Sequence, residues 1–131
     1  MSRRKLRENI FKLLFVSDFN NEQEMPEQLK LFFDSISDLD DKDQQYMQEK
    51  YGQVKERLDE INNIIDGCSS GWKTKRMSKV DLAILRLAVY EVKFDEDVPT
   101  SAAINEAVEL AKRFGGDDSP SFINGILGAV A

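Results

Sequence analysis

A cluster of positive side chains lies at the start of the chain, where Arg3, Arg4, Lys5 and Arg7 fall within five residues. A guanidinium group can grip two phosphate oxygens at once, and a lysine adds a compact positive charge. Such a cluster supplies the electrostatic part of affinity for RNA or DNA. The sequence therefore predicts a phosphate contact here, and the alternative interpretation is a solvated helix start that binds nothing.

Two aromatic residues, Phe114 and Phe122, flank a short polar segment near the other end of the chain. Exposed rings at the two ends of a turn can stack on unpaired bases, while Asp118 and Ser119 between them can hydrogen-bond base edges. The alternative interpretation is that both rings pack in the core. The pattern predicts a second contact with single-stranded nucleic acid.

Catalytic chemistry has little to work with in this sequence. There is no histidine, and Cys68 is the single cysteine, so neither a Cys-His pair nor a thiol-rich metal site can form. The acidic pairs Asp40-Asp41 and Asp117-Asp118 lie in turn-like segments, where solvation explains them better than acid-base catalysis does. We expect no enzyme activity, no cofactor, no metal and no disulfide.

The net charge of −6 hides a strong segregation of charge along the chain. Residues 1–12 hold five basic residues and one acidic residue, and residues 72–93 hold six and two, with Lys75 and Arg76 in the second group. Residues 18–60 hold thirteen acidic and five basic residues. This distribution favours a localised anion site, with Lys75 and Arg76 as further candidates for RNA binding.

Helical spacing of apolar residues indicates the elements that position these side chains. Leucine, isoleucine and phenylalanine recur at three- and four-residue steps from Leu6 to Phe19, and Pro26 can begin a second helix. Apolar residues from Met47 to Ile65 form one continuous helical seam, which Gly67 and the residues after it end. The low glycine and proline content and the scarcity of β-branched residues favour an all-α fold.

The second half of the chain contains the most apolar helix. Ser78 and Asp81 fit a capping box for a helix from about residue 79, which has almost no polar face and should be surrounded by others. Arg86 in its middle needs a buried partner, for which we consider Glu106 and Asn105. Two further helices follow Val98-Pro99 and Ser119-Pro120. No apolar stretch is long enough to span a membrane and no signal peptide is evident, so we expect a soluble cytoplasmic protein.

Several of these segments resemble the NusB family. The central helix Asp81–Glu91 followed by Val98-Pro99 is similar to that of NusB proteins, and the block Ala103–Lys112 is more specific still. The match continues through three further motifs, Phe114-Gly115, Asp118-Ser119 and Phe122–Leu127. The resemblance covers the whole chain and is weakest between about residues 20 and 66.

The resemblance implies a single-domain helical bundle of about seven helices in two subdomains around a shared core, residues 1 to about 70 and about 71 to 131. It also implies transcription antitermination: binding of the box A element of ribosomal RNA transcripts together with the ribosomal protein NusE, within the RNA polymerase antitermination complex. A homodimer is one assembly that it allows. The implied RNA contacts are Arg3, Arg4, Lys5, Arg7, Phe114, Asp118, Ser119 and Phe122.

Asp81 occupies a position where the family meets NusE with an acidic residue, and Asp18 a position where some members carry an aromatic residue against NusE. Two rival functions stay open. One is a helical protein-interaction module that uses the acidic residues 18–60 and never touches RNA. The other is the similar domain that precedes a methyltransferase domain in enzymes modifying ribosomal RNA, although no such domain follows Ala131.

The RNA hypothesis depends on one spatial relation, namely that the basic first turn shares a surface with the turn between the last two helices. Because a first helical turn buries little surface, we also expect that replacing Arg3, Arg4 and Arg7 with Ala weakens RNA binding without unfolding the protein.

Overall fold

The computed structural model describes residues 1–131 and consists of seven α-helices with one short 3-10 helix and no β-strand. The α-helices are, in chain order, α1 (Arg3–Ser17), α2 (Met25–Asp34), α3 (Asp41–Glu56), α4 (Leu58–Cys68), α5 (Lys79–Phe94), α6 (Thr100–Phe114) and α7 (Ser119–Val130), and the 3-10 helix spans Thr74–Arg76. The predicted all-α class with about seven helices is confirmed.

Helix α5 is the axis of the bundle. The Ser78 hydroxyl accepts a hydrogen bond from the backbone N–H of Asp81 at 3.1 Å and begins the helix as predicted. The reciprocal half of the capping box is not formed, since the Asp81 carboxylate accepts no bond from Ser78. Residues 82–91 are all buried, and α5 packs against α1, α3, α4, α6 and α7. A helix without a polar face is stable only when other helices cover it on every side.

The predicted single seam from Met47 to Ile65 is wrong, because the helix breaks at Arg57. Its backbone leaves the helical region at φ −105° and ψ 17°, so α3 ends at Glu56 and α4 begins at Leu58. The two helices then differ in their main neighbours: α3 packs mostly on α1, and α4 packs on α5 and α7. The three- and four-residue spacing of the apolar residues continues across the break because α3 and α4 both turn these residues toward the core.

The buried partner of Arg86 also differs from both candidates. Its guanidinium donates to Asp18 Oδ1 at 2.7 Å and to Asn62 Oδ1 at 3.0 Å, while Glu106 pairs with Arg4 at the surface instead. The arginine is only 8% exposed, so it needs this carboxylate and amide to replace its lost hydration. The Arg86–Asp18 ion pair links the C-terminal end of α1 to α5.

All seven helices contribute to one continuous cluster of 27 buried apolar residues. The division into two subdomains near residue 70 therefore stays a prediction, because the packing joins both halves along α5. None of the helices combines the length and apolar character that crossing a bilayer requires.

Candidate nucleic-acid interface

The first turn of α1 presents three exposed cations. Ser2 caps the helix by accepting from Lys5 N at 3.1 Å, which fixes the turn that displays them. Arg3 forms no ion pair, whereas Arg4 pairs with Glu106 of α6 through two hydrogen bonds of 3.0 and 2.9 Å. Arg4 is still 65% exposed, so solvent screens this pair and a phosphate can compete for the guanidinium. Lys5 is similarly open at 54%.

Arg7 points into the fold. Its Nε and Nη2 atoms each lie 3.0 Å from an oxygen of Glu91, a side chain that is 2% exposed. Lys50 approaches the same carboxylate at 3.4 Å and also pairs with Asp95. The structure thus gives Arg7 a buried structural role. The expectation that replacing Arg3, Arg4 and Arg7 leaves the protein folded assumed little burial, and the structure contradicts that assumption at Arg7. Removing the main partner of a buried carboxylate strongly destabilises the folded protein.

Glu8 connects the basic turn with the end of α6. It is 3% exposed and forms ion pairs with Lys5, Lys12 and Arg113. Burial alone would raise the pKa of this carboxyl, but hydrogen bonds from the three cations lower it from 4.5 to about 2. The carboxylate therefore stays charged at neutral pH and holds the cations of two helices side by side.

The predicted spatial relation is confirmed by this packing. Arg4 lies in one groove with Glu106 and Lys112 of α6 and with Pro120 and Ser121, which begin α7. The basic turn of α1 and the α6–α7 turn thus share one face of the molecule. Lys12, Lys112 and Arg113 add positive charge along that face, and the spacing of the sequence alone did not single them out.

Phe114 is half-buried and already has neighbours. Its ring centroid lies 5.3 Å from that of Phe11, and the Lys12 Nζ and Arg113 Cζ atoms lie 5.6 and 4.9 Å from it. These contacts use the ring to join α1 and α6 and to hold two cations at the surface. Core packing, the alternative interpretation, describes part of what this side chain does.

The α6–α7 turn divides the other predicted residues between structure and surface. Ser119 is 6% exposed, and its Oγ accepts a hydrogen bond from Gly116 N at 3.0 Å, so its side chain holds the turn together. Asp118 is exposed, and Phe122 is half-buried against the core. Asp118 and Phe122 also line a groove with Trp72, a half-exposed ring that sequence reasoning missed.

Lys75 and Arg76 lie on the exposed 3-10 helix before α5. Neither forms an ion pair within the chain, and neither does Lys73 beside them. Asp66 anchors the segment by accepting from Thr74 N at 2.8 Å. This second basic group therefore offers unpaired positive charge, whereas all the cations of α1 except Arg3 are paired within the chain.

The two predicted partner contacts differ in their access to solvent. Asp81 lines the groove of Trp72 and Phe122, and its Oδ1 atom is buried without a hydrogen-bond donor. Asp18 is 12% exposed because its carboxylate is occupied with Arg86. Asp81 is therefore the better placed of the two for meeting a partner.

Comparison with known proteins places this geometry in a family. The sequence profile of the NusB family matches residues 4–131. The chain belongs to the NusB family. It is 50% identical over 131 residues, the full length of both chains, to the transcription antitermination protein NusB of Agathobacter rectalis. It is 48% identical to the protein of the same name from Lachnoclostridium phytofermentans, covering 99% of this chain and 98% of the relative.

Solved NusB structures share the fold. The chain is similar to T. maritima NusB with a TM-score of 0.88 and 33% identity, covering 100% of this chain and 91% of that one. A structure described as antitermination factors NusB and NusE in complex with dsRNA matches with a TM-score of 0.82 at 22% identity, over 98% and 94% of the chains. The seven-helix bundle with α5 as its axis is thus the NusB fold.

Proposed function

We propose that this NusB-family protein is a transcription antitermination factor that binds box A RNA of ribosomal transcripts together with the ribosomal protein NusE. The observation that carries the proposal is the single face on which the basic first turn of α1 meets the α6–α7 turn. The names of the relatives, transcription antitermination proteins, support it, as does the description of a NusB and NusE complex with RNA. RNA polymerase is the larger assembly in which the pair would act.

The RNA contacts divide by chemistry. Phosphate contacts from α1 come from Arg3, Arg4 and Lys5, since all three are exposed, Arg3 is unpaired, and the ion pairs of Arg4 and Lys5 are open to solvent competition. Asp118 and Phe122 supply contacts to unpaired bases. Arg7, Ser119 and Phe114 act mainly by holding these groups in place, and Lys75 and Arg76 extend the positive surface. Asp81 faces NusE in this arrangement, and Asp18 supports α5 from inside.

Four further expectations accompany the proposal. We place the protein in the cytoplasm, where transcription occurs, and assign it no enzyme activity. The division near residue 70 separates a part that carries the basic turn from a part that carries the α6–α7 turn. A homodimer stays a prediction, to be measured by light scattering before RNA or NusE is added.

A salt titration tests the RNA function. A fluorescently labelled single-stranded box A oligonucleotide is titrated with the full chain, with and without NusE, between 50 and 200 mM salt, and anisotropy is recorded. We expect affinity to fall with salt and to rise when NusE is present. Each phosphate contact contributes a slope of roughly 0.7 in log affinity against log salt, so an Arg3→Ala/Arg4→Ala variant should lose about 1.4 of the slope.

The matched control removes two exposed cations elsewhere. Lys30 and Lys42 form no ion pairs and lie on or near the acidic region, so Lys30→Ala/Lys42→Ala changes the net charge equally. This control should keep the slope of the unaltered protein. Equal losses of slope in both variants would mean that RNA affinity depends only on the overall charge of the protein. Binding of NusE without any binding of RNA would favour the protein-interaction module.

A further inference from the structure

A groove beside the α6–α7 turn brings together two aromatic residues that are far apart in sequence. Trp72 and Phe122 line it, with Asp81 at the start of α5 and Asp118 at the start of α7. Neither ring pairs with another aromatic ring of the chain. Trp72 is the only tryptophan of the sequence and is 49% exposed, so half of a large indole faces solvent at the mouth of the groove.

Hydrogen bonds to Ser69 and Asp66 hold the segment that carries Trp72 in position. Trp72 N donates to Ser69 O at 3.0 Å, and the two residues between them turn the chain with positive φ values, 51° at Ser70 and 88° at Gly71. Asp66 accepts from Thr74 N just beyond. The indole is therefore presented by a closed turn rather than by a free loop, which lowers the entropy lost when a ligand stacks on it.

Charge around the groove is arranged in two zones. Lys73, Lys75 and Arg76 follow Trp72 directly and have no carboxylate partners. The groove itself carries the carboxylates of Asp81 and Asp118; the Oδ1 atom of Asp81 is buried, whereas Asp118 is exposed and open to an incoming donor. A phosphate is repelled by the groove and attracted to the basic segment, whereas a group with N–H donors and a flat face suits the groove.

We propose that this groove holds one unpaired nucleobase of the bound RNA, stacked against Trp72 and Phe122, with its backbone phosphate on the basic segment Lys73–Arg76. The proposal rests on the proposed RNA-binding function and extends it to a base site. Guanine fits best, because its N1–H and N2–H groups present two adjacent donors to an exposed carboxylate such as Asp118. A protein segment from NusE is the competing occupant.

The lone tryptophan makes the site directly observable. The full chain is titrated with labelled single-stranded box A RNA while RNA anisotropy and tryptophan emission are recorded together. We expect the emission to be quenched with the same midpoint as the anisotropy change. Stacking contributes about 1–3 kcal/mol per base, so Trp72→Ala should weaken binding roughly 5- to 150-fold, and Trp72→Phe should recover most of the loss.

Leu31→Ala is the matched control, since Leu31 is an exposed apolar residue of α2 at 56% exposure and should leave RNA affinity unchanged. Replacing each guanosine of the RNA in turn with inosine, which lacks the N2 amino group, should weaken binding at one position in the unaltered protein. If no position responds, the assignment of guanine to Asp118 is overturned.

Three other results would overturn the base site. If RNA binds while emission and Trp72→Ala affinity stay unchanged, the site is wrong and the RNA function stands. If only NusE quenches the emission, the groove is a protein contact. If no RNA binds under any condition, the proposed function fails and the base site with it.

Discussion

Replacing Arg7 with Ala should separate its structural role from the phosphate contacts that we propose for Arg3 and Arg4. The guanidinium makes two hydrogen bonds of 3.0 Å to Glu91, which is 2% exposed. Removing one partner of a buried ion pair costs about 3–5 kcal/mol. Lys50 keeps a 3.4 Å contact with the carboxylate, so we expect a loss shifted below that range, about 2–4 kcal/mol.

The assay is thermal and urea unfolding followed by circular dichroism. For a chain of this size a loss of 3 kcal/mol lowers the melting temperature by roughly 10 °C. Arg4→Ala is the control, because Arg4 also pairs with a glutamate but at the open surface, and its melting temperature should change little. A double-mutant cycle with Glu91→Gln then measures the coupling between the two side chains.

One result would refute this reasoning. If Arg7→Ala unfolds at the same temperature as Arg4→Ala and instead loses RNA affinity with a reduced salt slope, then Arg7 contacts phosphate and its pairing with Glu91 is dispensable. Arg7→Lys adds a second check, because lysine keeps the charge and loses the two-pronged geometry, so intermediate stability is expected.

Two further predictions concern the same face. Glu8→Gln should lower the free energy of unfolding by about 1–2 kcal/mol at pH 7, a value reduced for the half-exposed cations around it. Because the folded pKa of Glu8 lies at about 2, below its ordinary 4.5, the difference should shrink as pH falls through that window and vanish near pH 2 in urea titrations. Gly115→Ala should destabilise by about 1–3 kcal/mol, since a Cβ there would lie 2.6 Å from the Ser119 side chain. Gly116→Ala, with open space around it, should melt unchanged, and equal melting of the two variants would contradict the close approach.

Local sequence signals predicted the helices that begin and end at recognisable residues. Ser78 before α5 and Pro120 at the start of α7 are capping and first-turn signals, and both helices lie where expected. The break at Arg57 carried no such signal, because neither glycine nor proline marks it. The contacts around the break are tertiary: the Arg57 guanidinium lies 4.3 Å from the Phe94 ring centroid, and α4 packs on α5 and α7.

The sequence predicted most residues of the candidate site, but not the side chains with which they pair. Residue type showed that Arg3, Arg4 and Arg7 could bind phosphate, yet only the fold shows that Glu91 takes Arg7, from 84 positions away. Trp72 was not predicted as part of the site for a similar reason, since nothing next to it in sequence indicates that Phe122 lines the same groove. Long-range partners are set by packing, which spacing along the chain does not record.

The shared carboxylate of Glu8 has a consequence for discrimination among polyanions. Lys5, Lys12 and Arg113 are already satisfied by it, so an arriving phosphate replaces an existing acceptor and gains only the difference between the two. We therefore expect heparin or random duplex DNA, which offers charge alone, to gain little from such an exchange. A transcript whose bases occupy the proposed site beside α7 would gain contacts that no carboxylate of the protein supplies, so the exchange would itself favour that transcript.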